Sequence, residues 1–258
     1  MIKWLLIFLL WCGTGWASVD FDGADDQINV GAQTELNVTS LTIACWFKPT
    51  DITNGTAAET IVENSVGLGW ALNANQNGTG VRDNGDVAFY ANDGGWKVAT
   101  VANVLTSGAW VHLSGTISGG NLKLYVNGSL SATTGSFGTI SYSSPSFTIG
   151  EDTSSGADDT WAYGQIDECA FWDDALTDDE VAQLALSRVK RMPLQIQPSN
   201  LLGYWPLDDQ PDGTSGDGDT YLDWNNTANR NNGTGSDGAN NTGLTNKAEE
   251  VLSYPSDD

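Results

Sequence analysis

From Val19 to Trp172 the chain alternates short apolar and polar runs, broken every few residues by turn formers. A period of two is the mark of strands with one buried face. It predicts strands at 19–22, 27–30, 41–48, 60–63, 68–73, 86–91, 97–101, 110–117, 122–126, 146–149 and 164–172. Between them lie Asn54-Gly55, Asn77-Gly78, Asn84-Gly85, Gly119-Gly120 and Asn127-Gly128. Asn and Gly reach positive φ at low cost, so these pairs predict tight hairpin turns. Many short strands so spaced imply an all-β sandwich or barrel. One segment changes period. Thr177-Asp-Asp-Glu180 is a capping box, and Val181, Leu184 and Ala185 follow on one helical face. Arg188, Lys190 and Arg191 come next, where a helix C-terminus favours positive charge. Pro193 and Pro198 then mark a boundary, and the polar stretch from Leu207 to about Thr245 is expected to be mostly loop.

The first residues have another pattern. Lys3 precedes an apolar run at 4–11, and Gly15-Trp16-Ala17 supplies small residues around a cut after Ala17. This predicts a signal peptide and hence a secreted chain. The run is too short to span a bilayer, and no second one follows. Trp11 before Cys12 argues against lipidation, which wants a small residue there. The expected organisation is a leader at 1–17, a domain at 18–187, and a linker with an Asp/Asn/Gly-rich extension at 188–258.

Composition narrows the partners. The 258 residues carry 33 acids against 10 bases, a formal net charge of -23. A surface so short of positive charge excludes nucleic acid and anionic membranes as expected partners. One His and three Cys cannot make a His-rich or four-thiolate zinc site. Eleven Trp, 7 Tyr and 7 Phe are enough for a real core. With the leader removed, Cys45 and Cys169 remain, both in predicted strands. In an oxidising compartment they suggest a disulfide, which over so long a loop is worth on the order of 4 kcal/mol. Two buried free thiols are the alternative.

Five phrases in order carry a resemblance: Asp20-Phe-Asp-Gly23; Leu41-Thr-Ile-Ala-Cys-Trp46 with Lys48-Pro49; Gly108-Ala-Trp-Val-His112 with Leu122-Lys-Leu-Tyr-Val-Asn-Gly128; Phe147-Thr-Ile-Gly150; and Gly164-Gln-Ile-Asp-Glu168 leading to Phe171-Trp-Asp-Asp-Ala-Leu176. Over roughly residues 19–186 the chain resembles a LamG-like (concanavalin A-like lectin/glucanase) jelly-roll domain. The resemblance implies an all-β, two-sheet antiparallel sandwich whose last strand closes beside an early one, bringing Cys169 near Cys45. The tail phrase Asn200-Leu-Leu-Gly-Tyr-Trp-Pro-Leu-Asp208, with Asp223 and Asn231-Asn-Gly-Thr234, resembles the segment that commonly opens such a domain. It starts a truncated second copy or folds back on the first. The expectation is an extension anchored by Leu202, Tyr204 and Trp205.

The family often holds a structural calcium between an early loop and the last strand. The matching positions here are Asp22, the Gly23 carbonyl and Asp167. The bland alternative has Asp167 capping a strand edge and Asp22 in a turn. A second calcium candidate is Glu151, Asp152, Asp158 and Asp159, against plain solvated acid. The same fold hosts glycosidases with paired carboxylates in a Glu-x-Asp-x-x-Glu pattern, but Gln165 and Ala170 stand at both catalytic positions. His112, the one imidazole, falls where the family places a structural histidine, and Gly67-Leu-Gly69 lacks the third Gly of a phosphate loop. The chain is therefore expected not to be an enzyme.

Sugar rings stack on exposed aromatics while Asn and Asp read their hydroxyls. The ligand candidates are Trp70, Trp96, Trp161 and Tyr163, each with core packing as the alternative; Trp46, Trp110 and Trp172 are expected in the core. Asn37, Asn54, Asn77, Asn127, Asn225, Asn232 and Asn240 open Asn-x-Ser/Thr motifs, which matter only in a glycosylating host. The leading expectation is a secreted, non-catalytic binding module for carbohydrate or an extracellular protein. A structural or adhesion component is second, and a divergent glycosidase third.

Overall fold

The computed structural model describes residues 18–53, 58–65, 67–76, 82–152, 160–186, 192–208, 216–225, 231–236 and 245–247. The leader, the turns at Asn54 and Asn77, the motif at Asn240, the basic run from Arg188, and Asp158 and Asp159 lie outside these residues.

All the predicted strands are present: β1 (Ser18–Asp22), β2 (Gln27–Gly31), β3 (Leu41–Pro49), β4 (Glu59–Ser65), β5 (Gly69–Gln76), β6 (Arg82–Asn92), β7 (Trp96–Val101), β8 (Val111–Ser118), β9 (Asn121–Val126), β11 (Phe147–Ile149) and β12 (Tyr163–Trp172). One more, β10 (Ser129–Thr134), pairs with β9 at an edge. Its residues are exposed or half-buried, so it carries little apolar signal. Gly119-Gly120 and Asn127-Gly128 form the expected two-residue hairpins, with positive φ at all four residues. Asn84-Gly85 does not. It lies inside β6, where the register passes from Gln76↔Arg82 to Ala74↔Val87, so it belongs to a bulge.

The helix α1 (Asp178–Leu186) starts at the predicted box. Glu180 Oε2 accepts from the Thr177 backbone N–H at 2.8 Å, and the Glu180 N–H donates to Thr177 Oγ1 at 3.3 Å. Val181, Leu184 and Ala185 are buried. The helix sits on the Asn127-Gly128 turn, where a Cβ on Gly128 would come within 2.9 Å of Ala182 and Ala185.

The extension folds back on the domain, the second of the two readings its opening phrase allows, and short strands also interrupt the stretch expected to be mostly loop. It forms β13 (Leu201–Trp205), β14 (Thr220–Tyr221), β15 (Gly233–Ser236) and β16 (Thr245–Lys247), and all four join the sandwich. The first sheet runs β10-β9-β8-β3-β12-β1-β16, with β13 also on β12. The second runs β14-β15-β2-β11-β4-β5-β6-β7, and every pairing given for the two sheets is antiparallel. β1 pairs with β12 at residues 163–166 and β13 at 169–172, so the tail strand takes up the edge of β12 where β1 leaves it. Of the three predicted anchors, Tyr204 and Trp205 are fully buried and Leu202 packs partly against the core. The alternation does not predict β14, β15 and β16, because they are short and polar, with pairing partners far away in the chain.

The main core lies between the sheets. Trp70 stacks on Phe171 (5.5 Å, 11°), and Phe147 packs against both Phe171 and Trp205, the latter at 4.9 Å. Gly115 opens room for Phe89, whose ring would lie 2.6 Å from a Cβ there. A second cluster, with Ala44, Tyr125, Ala170, Trp172, Leu184, Ile196 and Tyr204, fills the space between the outer face of the first sheet and α1. Amphipathic layers on both faces explain why β3 and β12 read as nearly continuous apolar runs.

Candidate functional site

Three places hold chemistry-bearing residues. The first is the rim where β1 turns into β2. Asp22, Asp25 and Asp26 bring carboxylate oxygens within 4.8 Å of one another. Asp26 is fully buried and accepts the Asp22 backbone N–H at 2.6 Å, while Asp22 Oδ1 accepts the Ala24 N–H. An oxygen-only set suits a hard cation such as calcium. The predicted set of Asp22, Gly23 and Asp167 is not assembled. Asp22 is opposite Tyr163, and Asp167 is four residues further along β12, about 13 Å away at strand rise. Asp167 is buried instead at a bulge, where its Oδ1 accepts the Glu168 N–H at 2.9 Å. Glu151 and Asp152 are half-buried near Trp161, with Glu151 bridging to it.

The second place is a recess on the outer face of the first sheet. Ala44, Trp46, His112, Glu168, Leu184 and Pro193 line it. His112 lies edge-on to Trp46 at 5.2 Å. Burial pushes its pKa down to about 3, so the ring is neutral and a weak base at ordinary pH. Its Nδ1 has no hydrogen-bond partner among the described residues. Glu168, at φ +52 in the bulge, accepts the Tyr204 hydroxyl at 2.8 Å. Burial, and then the Glu168 charge, raises the Tyr204 phenol far above its usual range. Ala44 and Leu184 of this recess, and Tyr204, belong to the second core cluster.

The third place is the outer face of the second sheet. Val62, Trp70, Leu72, Val87, Phe89, Ala91 and Ala99 point into the core, so the residues between them face away from it. The register then sets two rows across four strands. One is Glu63, Ala71, Tyr90 and Val98; the other is Thr60, Asn73, Ala88 and Thr100. Trp96, at the start of edge strand β7, is 49 % exposed and packs edge-on against Tyr90 at 6.3 Å. Glu63 accepts the Ser65 hydroxyl at 2.9 Å. Asn73 is buried, and its Oδ1 accepts no hydrogen bond from a described residue. Trp96 is exposed on this face, while Glu63, Ala71, Asn73 and Ala88 on the same face are buried.

The predicted ligand aromatics separate. Trp70 is fully buried and stacked on Phe171, so it belongs to the core and not to a ligand surface. Trp161 is half-buried at its bridge to Glu151, and Tyr163 packs beneath Gly23, both on the acidic rim. Trp96 is on a different part of the molecule, four strands from β11. Of the tryptophans expected in the core, Trp46 and Trp172 are buried and Trp110 is half-buried just before β8. Sequence reasoning missed Glu63, Asn73 and Tyr90. Their signal was present: β4, β5 and β6 keep polar or small residues at every position that faces away from the core.

Cys45 and Cys169 are both fully buried, on adjacent strands, and are held as two free thiols in contact. The contact itself follows from the predicted closure of β12 beside β3.

The fold is shared with solved structures of low sequence identity. A Bacteroides ovatus protein described as a candidate carbohydrate binding protein matches at TM-score 0.64 and 18% identity, over 92% of this chain and 62% of its own. A heptameric SAP-like pentraxin from Limulus polyphemus matches at 0.53 and 20%, over 69% and 85%. The enzymatically active domain of tailspike protein 2 from bacteriophage CBA120 matches at 0.53 and 15%, over 74% of this chain and 30% of that one. No curated protein matches the chain by sequence. The Laminin_G_3 family model, described as the concanavalin A-like lectin/glucanases superfamily, matches residues 22–182. The chain belongs to the concanavalin A-like lectin/glucanases superfamily.

Proposed function

We propose that this is a non-catalytic carbohydrate-binding module, exported from the cell, that holds its ligand on the outer face of the second sheet. One observation carries the reading: the half-exposed Trp96 is braced edge-on by Tyr90 on the outer face of the second sheet. A sugar ring offers a C–H face to the exposed indole. The likeness to a candidate carbohydrate binding protein agrees with it at the level of fold. The ligand class is neutral glycan, because a chain of net charge -23 repels sulfated or sialylated ones at physiological ionic strength. Calcium, in this reading, is a structural clamp at Asp22, Asp25 and Asp26. A glycan array probed with the full chain tests it. Binding to neutral oligosaccharides that is lost in Trp96→Ala supports the reading; no binding to any glycan overturns it.

A further inference from the structure

We propose that Cys45 and Cys169 are the site of one intramolecular disulfide, formed before the C-terminal segment closes over the sandwich. The strand register provides the geometry. Asp167 pairs with Trp46 and Ala170 with Ala44, so Cys45 alone on β3 faces Glu168 and Cys169 on β12. This two-against-one arrangement is a β-bulge. Residues opposed across an antiparallel pair have Cα atoms about 4.5–5.5 Å apart, inside the range a disulfide spans without backbone movement. Both side chains point into the same core cluster, and the thiols already touch.

The order of events follows from burial. Both residues are fully buried, and burial followed by the neighbouring Cys45 raises the Cys169 thiol well above its usual range. Exchange needs a thiolate, so the folded chain is inert at this site. β13 pairs with β12 and sets Trp205 opposite Cys169. The bond therefore has to form while residues 201–205 are still undocked. One cysteine thiolate attacks a donor disulfide, gives a mixed disulfide and expels one donor thiol. The second cysteine thiolate then attacks the cysteine sulfur of that mixed disulfide and expels the other donor thiol. Two protein thiols are oxidised, one donor disulfide is reduced to two thiols, and the cysteine protons end on the donor sulfurs or in solvent. The crosslink would fasten the bulge that holds Glu168 under Tyr204.

The test is to refold the reduced, denatured full chain in a glutathione redox buffer, beside a sample of native reduced chain in the same buffer. Peptide mapping, which separates Cys12 from the pair, then reads the bonds. The expected result is a crosslinked peptide joining Cys45 to Cys169 in the refolded sample alone, lighter by two hydrogens, and a higher Tm than the reduced chain. Cys45→Ala should remove the Tm difference between oxidised and reduced samples. Recovery of both as free thiols after refolding, or pairing of either with Cys12, overturns the proposal. Oxidation of the native chain as fast as the refolding one overturns the order of events.

Discussion

The Tyr204 hydroxyl donates to Glu168 Oε2 at 2.8 Å, joining a strand of the C-terminal extension to the bulge in β12. The two residues are 36 apart in sequence, and both are buried. The bond makes the extension part of the sandwich and not an appendage. Tyr204→Phe keeps the ring but removes the donor from a buried carboxylate, which costs about 1–3 kcal/mol. Urea unfolding checks it; an unchanged midpoint would mean that water replaces the hydroxyl at no cost.

A second anchor is Asp223. Its Oδ1 accepts the Tyr204 and Asn225 N–H groups, both at 2.9 Å, and its Oδ2 accepts the Asn231 N–H at 3.0 Å and the Asn225 side chain at 2.8 Å. Asp223→Ala leaves several buried donors unpaired, so a loss of more than 2 kcal/mol is expected, read as a drop in the unfolding midpoint. Limited proteolysis should then cut first in the extension.

Two tryptophans that look alike in the sequence should behave in opposite ways. Trp70→Ala empties the centre of the core and should cost about 3–5 kcal/mol. Trp96→Ala removes a half-exposed side chain and should stay within about 1 kcal/mol of the parent. Differential scanning calorimetry on the pair separates core from surface.

His112 gives an acid-side signature. Its folded pKa is lowered to about 3 by burial, while the unfolded chain titrates near the ordinary 6.5. Between those values the unfolded state binds the extra proton, so stability falls as pH drops from about 6.5 towards 3. The slope approaches about 1.4 kcal/mol per pH unit for this one group. A stability–pH curve of His112→Gln, compared with the parent over this window, should lack that component. Parallel curves would show that the ring is not buried neutral.

If the rim acids hold calcium, the cation binds the native state alone and raises Tm, and a chelator reverses the rise. Asp26→Asn should abolish the difference. Equal melting temperatures with calcium and with chelator would remove calcium from the account.

Period-two alternation made the strands and the sandwich legible, and the Thr177 box made the helix legible, because both signals are local. The same alternation could not say which of two sheets a residue serves. Trp70 and Trp96 both sit in strands of the second sheet, and only the register tells that one faces Phe171 and the other faces out. Asp22 and Asp167 were joined by family likeness, but a strand offset of four residues keeps them apart. The extension hid its strands because Gly233-Thr-Gly-Ser236 has no apolar period of its own; β2 supplies its partner from the other end of the chain.

The central claim is that ligand is held on the outer face of the second sheet, and isothermal titration with a neutral oligosaccharide selected from an array tests it most directly. The account predicts that Trp96→Ala weakens binding at least tenfold while Tm is retained, and that Trp161→Ala on the acidic rim leaves the affinity unchanged. Loss of binding in Trp161→Ala with full affinity in Trp96→Ala would contradict it and move the site to the rim.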